Sequence, residues 1–153
     1  MSVRIRDAFT LIELVFVLVV IGILSAVAIP RLAATRDDAH IAKARATLSA
    51  VRNAIISEHQ KRILRGDFAP ITSVNAGGGM FDTFSADSNG VSSRVLEYPP
   101  QPCSVGDRSC WSSGTDNNGN TTYTYTLPDG NSVTFVLQNN RLVCAGASCS
   151  PLE

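Results

Sequence analysis

Apolar and polar positions divide this 153-residue chain into three regimes. Residues 9–29 are apolar at every position except Glu13, two hydroxyl residues and a glycine. As a helix rising about 1.5 Å per residue, this block extends about 31 Å, the thickness of a hydrocarbon core of roughly 30 Å. Residues 32–64 contain no glycine or proline and repeat apolar side chains at Ile41, Ala44, Leu48, Val51 and Ile55. That three-and-four spacing marks one face of an amphipathic helix, and Gly66 after Arg65 supplies a stop signal. The pattern predicts one helix running to Arg65. It is kinked or locally unwound between Gly22 and Pro30, because a proline inside a helix removes a backbone hydrogen bond and crowds the preceding turn.

The third regime has the period of a strand. Residues 67–120 are dense in Gly, Ser, Asp, Asn and Pro and read as loops with one or two short elements, such as a strand near 91–98. Residues 122–127 then alternate Tyr123, Tyr125 and Leu127 against threonines, residues 132–137 place Val133, Phe135 and Leu137 on one face, and a third strand covers 141–144. Turn chemistry at Pro128-Asp129-Gly130-Asn131 and Asn139-Asn140 joins them into an antiparallel meander. The apolar stripe of the helix can cover one face of that sheet. The expected fold class is α+β: a long N-terminal α-helix, transmembrane half plus amphipathic half, packed on a small antiparallel β-sheet head.

Glu13 changes this picture. A carboxylate in an apolar span costs roughly 2 to 4 kcal/mol on insertion scales, so it points to a function and to a cationic partner. The chain begins with a short polar leader carrying Arg4 and Arg6, then switches after Ala8 to Phe9-Thr10-Leu11-Ile12-Glu13. This junction resembles the type IV pilin and type II secretion pseudopilin signature, in which a membrane peptidase cuts before a phenylalanine that is followed four residues later by glutamate. Gly22 and Pro30 also match the family's pattern, whereas Ala8 stands where the family usually has glycine.

The resemblance implies cleavage between Ala8 and Phe9 and N-methylation of Phe9. It also implies an ion pair between the new amino group and Glu13 of a neighbouring subunit during filament assembly, with helix flexibility at Gly22 and Pro30. It divides the chain into a leader at 1–8, a transmembrane and filament-core helix at 9–30, an amphipathic stalk at 31–65 and a globular head at 66–153. The implied partners are other pilin-like subunits, prepilin peptidase, an inner-membrane assembly platform and membrane lipid. Before assembly the protein is placed in the bacterial inner membrane, N-terminus cytoplasmic and head periplasmic; afterwards it is in a pilus or pseudopilus. Basic residues on both sides of the span do not fix that orientation by the positive-inside rule, so the motif decides it.

Two rival readings of the segment exist. Ala26-Val27-Ala28 satisfies the small-residue rule of a secretory signal peptide, which predicts a secreted binding module beginning at Ile29. Glu13 and the length of the apolar block, against a usual 7 to 15 residues, speak against it. A plain single-span anchor leaves Glu13 unexplained. Within the resembling family, a pilus subunit and a pseudopilin of a secretion or DNA-uptake system remain alternatives: cysteines in the head lean to the first and the short chain to the second.

Cys103, Cys110, Cys144 and Cys149 all lie in the head. An even number in a small exported domain favours disulfides, with three pairings open. Local pairs close short loops contributing about 2 kcal/mol each and long-range pairs about 4, while proximity in sequence favours Cys103 with Cys110 and Cys144 with Cys149. The spacings do not suit zinc.

No enzymatic constellation is present. His40 and His59, the two histidines, both fall on the predicted stalk, on solvated or subunit-facing sides, and Gly77-Gly78-Gly79 lacks the context of a phosphate loop. Asp116-Asn117-Asn118-Gly119-Asn120 reads as a polar turn; no cofactor is expected, with calcium in the head as the single alternative. Residues 31–65 hold eight basic and three acidic side chains, net +5, and residues 67–153 hold three basic and eight acidic, net −5. Opposite charges on stalk and head can attract between staggered subunits. An acidic head offers nothing to phosphates, so direct nucleic-acid binding is not expected.

Overall fold

The computed structural model describes residues 10–146 and 149–153, with the side chains of residues 27–34 outside the description. Among the described residues there are one helix, α1 (Leu11–Leu64), and four strands: β1 (Cys110–Thr115), β2 (Thr121–Thr126), β3 (Ser132–Gln138) and β4 (Arg141–Cys144). The strands make one antiparallel sheet in sequence order. The chain divides into two units, Met1–Asp38 and Ala39–Glu153, and the sheet lies wholly in the second.

Local chemistry explains each boundary. α1 stops because Gly66 adopts φ 80°, a left-handed conformation that a Cβ disfavours. Asp67 N–H then bonds to Arg62 C=O and Gly66 N–H to Ile63 C=O, each at 2.9 Å, which satisfies two carbonyls at the helix end. The β1–β2 and β2–β3 connections share one solution. A turn closed by Gly119 N–H to Asp116 C=O, or by Gly130 N–H to Leu127 C=O, ends on a glycine at positive φ. Between β3 and β4 the two-residue loop Asn139-Asn140 has φ 50° and 58°, the mirror-image turn whose twist matches flanking strands.

The core sits between the amphipathic part of α1 and one face of the sheet. Ala44, Leu48, Val51 and Ile55 are buried, with Ile41 half-buried, against Trp111, Tyr125, Val133, Phe135 and Leu142. Each large side chain removed from water contributes about 1.5–3 kcal/mol, so this stripe is the main attachment of helix to sheet. Arg52 reinforces it, donating to Leu142 C=O at 3.2 Å with its guanidinium 5.6 Å from the Phe135 ring centre.

Three expectations need correction. β1 lies in a stretch that reads as loop: its residues alternate poorly, and the strand exists because it pairs with β2 from Cys110↔Thr126 to Thr115↔Thr121. The strand expected at 91–98 reduces to a single bridge between Thr83 and Arg94. The loop region is also less superficial than its composition implies, since Ile71, Val74, Met80, Phe81, Phe84 and Val95 are all in the core. They are held there by bonds that a periodicity cannot reveal. Tyr123 Oη accepts from Val74 N–H at 2.9 Å and donates to Asn75 Oδ1 at 3.1 Å.

Candidate functional site

The candidate site is the first turn of α1. Thr10 precedes the helix and caps it: its carbonyl accepts from Glu13 N–H at 3.1 Å and Leu14 N–H at 3.2 Å, and its hydroxyl accepts from Glu13 N–H at 3.3 Å. A side-chain oxygen at this position satisfies an amide that no earlier turn can reach. The acidic side chain of the first turn is Glu13. A carboxylate there is favoured by the helix dipole by about 0.3–1 kcal/mol, which is less than the cost of placing it among apolar neighbours.

Those neighbours are bare. Leu11, Ile12 and Phe16 are 83%, 78% and 67% exposed, and Glu13 is exposed with them. Among the described residues, no ion pair reaches Glu13. Ala8 and Phe9, the two sides of the expected cleavage, lie outside the described residues. A Cβ added at Gly22 meets nothing within 4 Å, so packing within the chain does not require glycine there. The backbone is helical through both Gly22 and Pro30. Among the described residues, no helix is long and apolar enough to cross a membrane; the side chains described within the apolar block end at Ala26.

In the head, the cysteines form Cys103–Cys110 and Cys144–Cys149, with Cα–Cα distances of 5.3 and 6.2 Å. Asp116 takes up its own turn: Oδ1 accepts from Asn118 N–H and Asn120 N–H at 2.8 Å, and Oδ2 from the Asn120 amide at 3.0 Å. These bonds, the Asn120 side chain first, hold its carboxyl below the usual range. Among the described residues there is no cluster of three or more metal-ligating side chains. His40 is half-exposed and lends its carbonyl to the Tyr125 hydroxyl at 3.2 Å. His59 is half-buried, with Nδ1 enclosed and without a hydrogen-bond partner among the described residues.

Four of the eight basic stalk residues, Arg45, Arg52, Arg62 and Arg65, are engaged within the Ala39–Glu153 unit, which sequence reasoning missed. Arg52 pairs with Glu153 at 3.0 Å and Arg45 donates to Pro151 C=O at 2.9 Å. Arg62, fully buried, pairs with buried Glu58 at 3.1 Å and donates to Ser85 C=O. Arg65 lies 3.6 Å from Glu58 and 3.3 Å from Asp87 Oδ2, close enough for charge attraction although that oxygen receives no hydrogen bond. The i to i+4 spacing of Glu58 and Arg62 was the available signal.

Comparison with known proteins places this site in context. Residues 4–29 match the profile of the prokaryotic N-terminal methylation motif. The type IV narrow pilus major component PilA5 of Thermus thermophilus is 54% identical over 46 residues, 30% of this chain and 40% of that protein. The chain thus spans less than half the length of this curated relative. No solved structure matches. The motif and the relative together support the type IV pilin and pseudopilin family for this chain.

Proposed function

We propose that this chain is a structural subunit, not an enzyme, of a type IV pilus-like filament. It is made with a leader, cut between Ala8 and Phe9 by prepilin peptidase, N-methylated at Phe9, and assembled from the inner membrane with other pilin-like subunits through an assembly platform. The observation that carries this reading is the methylation-motif match over residues 4–29, with Glu13 exposed in the first helical turn and, among the described residues, without an ion pair. A carboxylate enclosed by apolar surface is costly alone and much less so beside a cation. Cleavage makes such a cation, the amino group of Phe9, in every subunit. Glu13 of one subunit and the amine of the next then fix the register of the growing filament.

Because the Thermus relative is named as a pilus component, a pilus is favoured over the pseudopilus of a secretion system. The test has two parts. Mass spectrometry of the mature protein is expected to find methylated Phe9 at the N-terminus; Ile29 there would instead establish secretory cleavage. Glu13→Ala is expected to be cleaved and membrane-inserted yet excluded from sheared fibres, and its normal appearance in fibres would refute the ion-pair role.

A further inference from the structure

The outer edge of β4 carries an apolar groove. It lies between that strand and α1, has a volume of about 250 Å³, and is lined by Arg52, Ile55, Ile56, Arg141, Leu142 and Val143. Ile55 and Leu142 are buried beneath it, while Ile56 is 53% and Val143 39% exposed. A space below the roughly 300–1,000 Å³ of drug-sized sites admits about one ring. Arg52 is already paired with Glu153 at 3.0 Å. Arg141 is exposed and, among the described residues, has no ion pair, which makes it the free cation of the groove.

The opposite edge of the sheet carries a projection. Strand order β1-β2-β3-β4 puts β1 at that edge, and Pro102 is bridged to Trp111 along its outer side, with Cys103 N–H donating to Trp111 C=O at 2.8 Å. Tyr98 stands on the segment that leads to this bridge and is 89% exposed. Pro99, Pro100 and Pro102 fix φ along the segment, and the Cys103–Cys110 bridge ties its end to β1. Enclosing Tyr98 therefore costs little backbone freedom. Glu97 beside it reaches Arg94 at 3.8 Å, with 73% of each side chain open to water, a pair that holds the carboxylate weakly.

Phe68 and Val105, also exposed, suit the groove less well. Phe68 follows Asp67, whose carboxylate is buried and accepts from Ala69 and Ser88 N–H, so no free acid accompanies the ring. Val105 is aliphatic, and Asp107 near it accepts from Ser104 N–H at 2.9 Å within its own turn. Glu97-Tyr98 joins an exposed ring to an exposed acid, the complement of an apolar groove with a free arginine. Tyrosine and arginine are also the side chains that dominate the energetics of protein interfaces, and a guanidinium near a ring face adds to the attraction.

We propose that Tyr98 of one copy of this chain seats in the Ile56 and Val143 groove of the next copy, with Glu97 meeting Arg141. Projection and groove lie at opposite edges of one sheet, so the contact is heterologous: every copy offers both halves, and the contact repeats from copy to copy. One ring buries far less than the roughly 1,200–2,000 Å² of a stable interface, so the contact operates between subunits already held side by side. It rests on the filament reading and adds to it a specific contact between heads, independent of Glu13.

To test it, the photo-crosslinker benzoylphenylalanine replaces Tyr98 in the full chain, and sheared fibres are irradiated. The expected product is a dimer of this chain whose joined peptides place position 98 of one copy on residues 52–56 or 141–143 of the other. Tyr98→Ala is expected to lower the yield of subunit in fibres about tenfold or more. Glu97→Arg and Arg141→Glu are each expected to lower it about two- to fivefold, and the two changes together to restore it, because the pair re-forms with its signs exchanged. All three side chains are exposed, so each variant is expected to unfold at the wild-type temperature. The proposal is overturned, with the filament reading intact, by wild-type fibres in which position 98 crosslinks elsewhere or not at all, by an undiminished yield of Tyr98→Ala, or by a double variant no better than the single ones. Absence of the wild-type chain from fibres overturns the filament reading itself, and this contact with it.

Discussion

Replacing Tyr123 with phenylalanine removes one oxygen from a fully buried ring. That oxygen accepts from Val74 N–H at 2.9 Å, and Val74 is itself fully buried. Without it the amide has no acceptor and no access to water, which costs about 1–3 kcal/mol. The other partner, Asn75 Oδ1, keeps the Ser73 hydroxyl at 2.7 Å, so its loss adds little. Tyr125→Phe is the matched control. Its hydroxyl donates at 3.2 Å to the carbonyl of His40 inside α1, which retains its helical partner, so the expected cost is about 0.5–1 kcal/mol. One kcal/mol lowers the midpoint of a domain of this size by about 4 °C or somewhat more. A near-ultraviolet circular dichroism melt of the full chain in detergent is expected to place Tyr123→Phe about 4–12 °C below wild type and Tyr125→Phe within about 4 °C of it. Equal shifts, or the reverse order, refute the claim that Tyr123 anchors the 71–84 loop through an otherwise orphaned amide. The alkaline limb gives a second check. Burial raises the phenol of Tyr123 above its ordinary value near 10, so the unfolded chain ionises first. Stability is therefore complete below about pH 10 and lost as pH rises through the folded value, and Tyr123→Phe lacks that contribution to alkaline unfolding.

Two further outcomes follow from the buried charges near the end of α1. Glu58→Ala leaves the fully buried Arg62 without its carboxylate and is expected to lose about 3–5 kcal/mol, whereas the double change Glu58→Leu with Arg62→Met recovers most of it; urea denaturation separates the two. Asp67 accepts from Ala69 N–H at 2.9 Å and Ser88 N–H at 3.0 Å, and these bonds, Ala69 first, hold its carboxyl below the ordinary value. Its contribution is present above about pH 4 and lost as pH falls through the lower folded value, so the gap in urea midpoint between wild type and Asp67→Asn is expected to close on acidification.

What the sequence made legible was whatever a local rule decides. The stripe from Ala44 to Ile55 is buried as its spacing requires, with Ile41 half-buried at its end, Gly66 ends α1, and the turns around Gly130 and Asn139-Asn140 join strands as their backbone preferences demand. The failures share a different cause. β1 contains one large apolar side chain, Trp111, followed by Ser-Ser-Gly-Thr, and becomes a strand only because β2 lies beside it. Phe81 and Phe84 have no periodic companions; ring contacts of Phe81 with Trp111 and Tyr123, at 5.1 and 5.3 Å, come from residues thirty or more positions away in sequence. At the candidate site the order reverses. Glu13 and Gly22 are conspicuous in the sequence and do little in the described fold: Glu13 is exposed without an ion pair among the described residues, and a Cβ at Gly22 would meet nothing.

That contrast bears on how subunits recognise one another. A net +5 stalk beside a net −5 head suggests broad attraction between staggered copies. In the folded unit Arg45, Arg52, Arg62 and Arg65 already meet carboxylates or carbonyls of their own chain. Among the described residues Arg36, Lys43 and Lys61 are left without an ion pair, and exposed cations of this kind contribute at most about 1 kcal/mol each to any contact and are screened by salt. Glu13 is different in kind. Its neighbours Leu11, Ile12, Leu14 and Val15 are exposed apolar side chains that either lipid or other subunits must cover, and whatever covers them encloses the carboxylate as well. Enclosure raises the value of one correctly placed cation above that of several exposed ones, since the alternative is an unpaired buried charge. Register in the proposed filament therefore depends on Glu13 more than on the stalk and head charges. Raising salt is expected to loosen subunit association only slightly, while Glu13→Ala abolishes it; a filament that dissolves in salt but tolerates Glu13→Ala would invert this order.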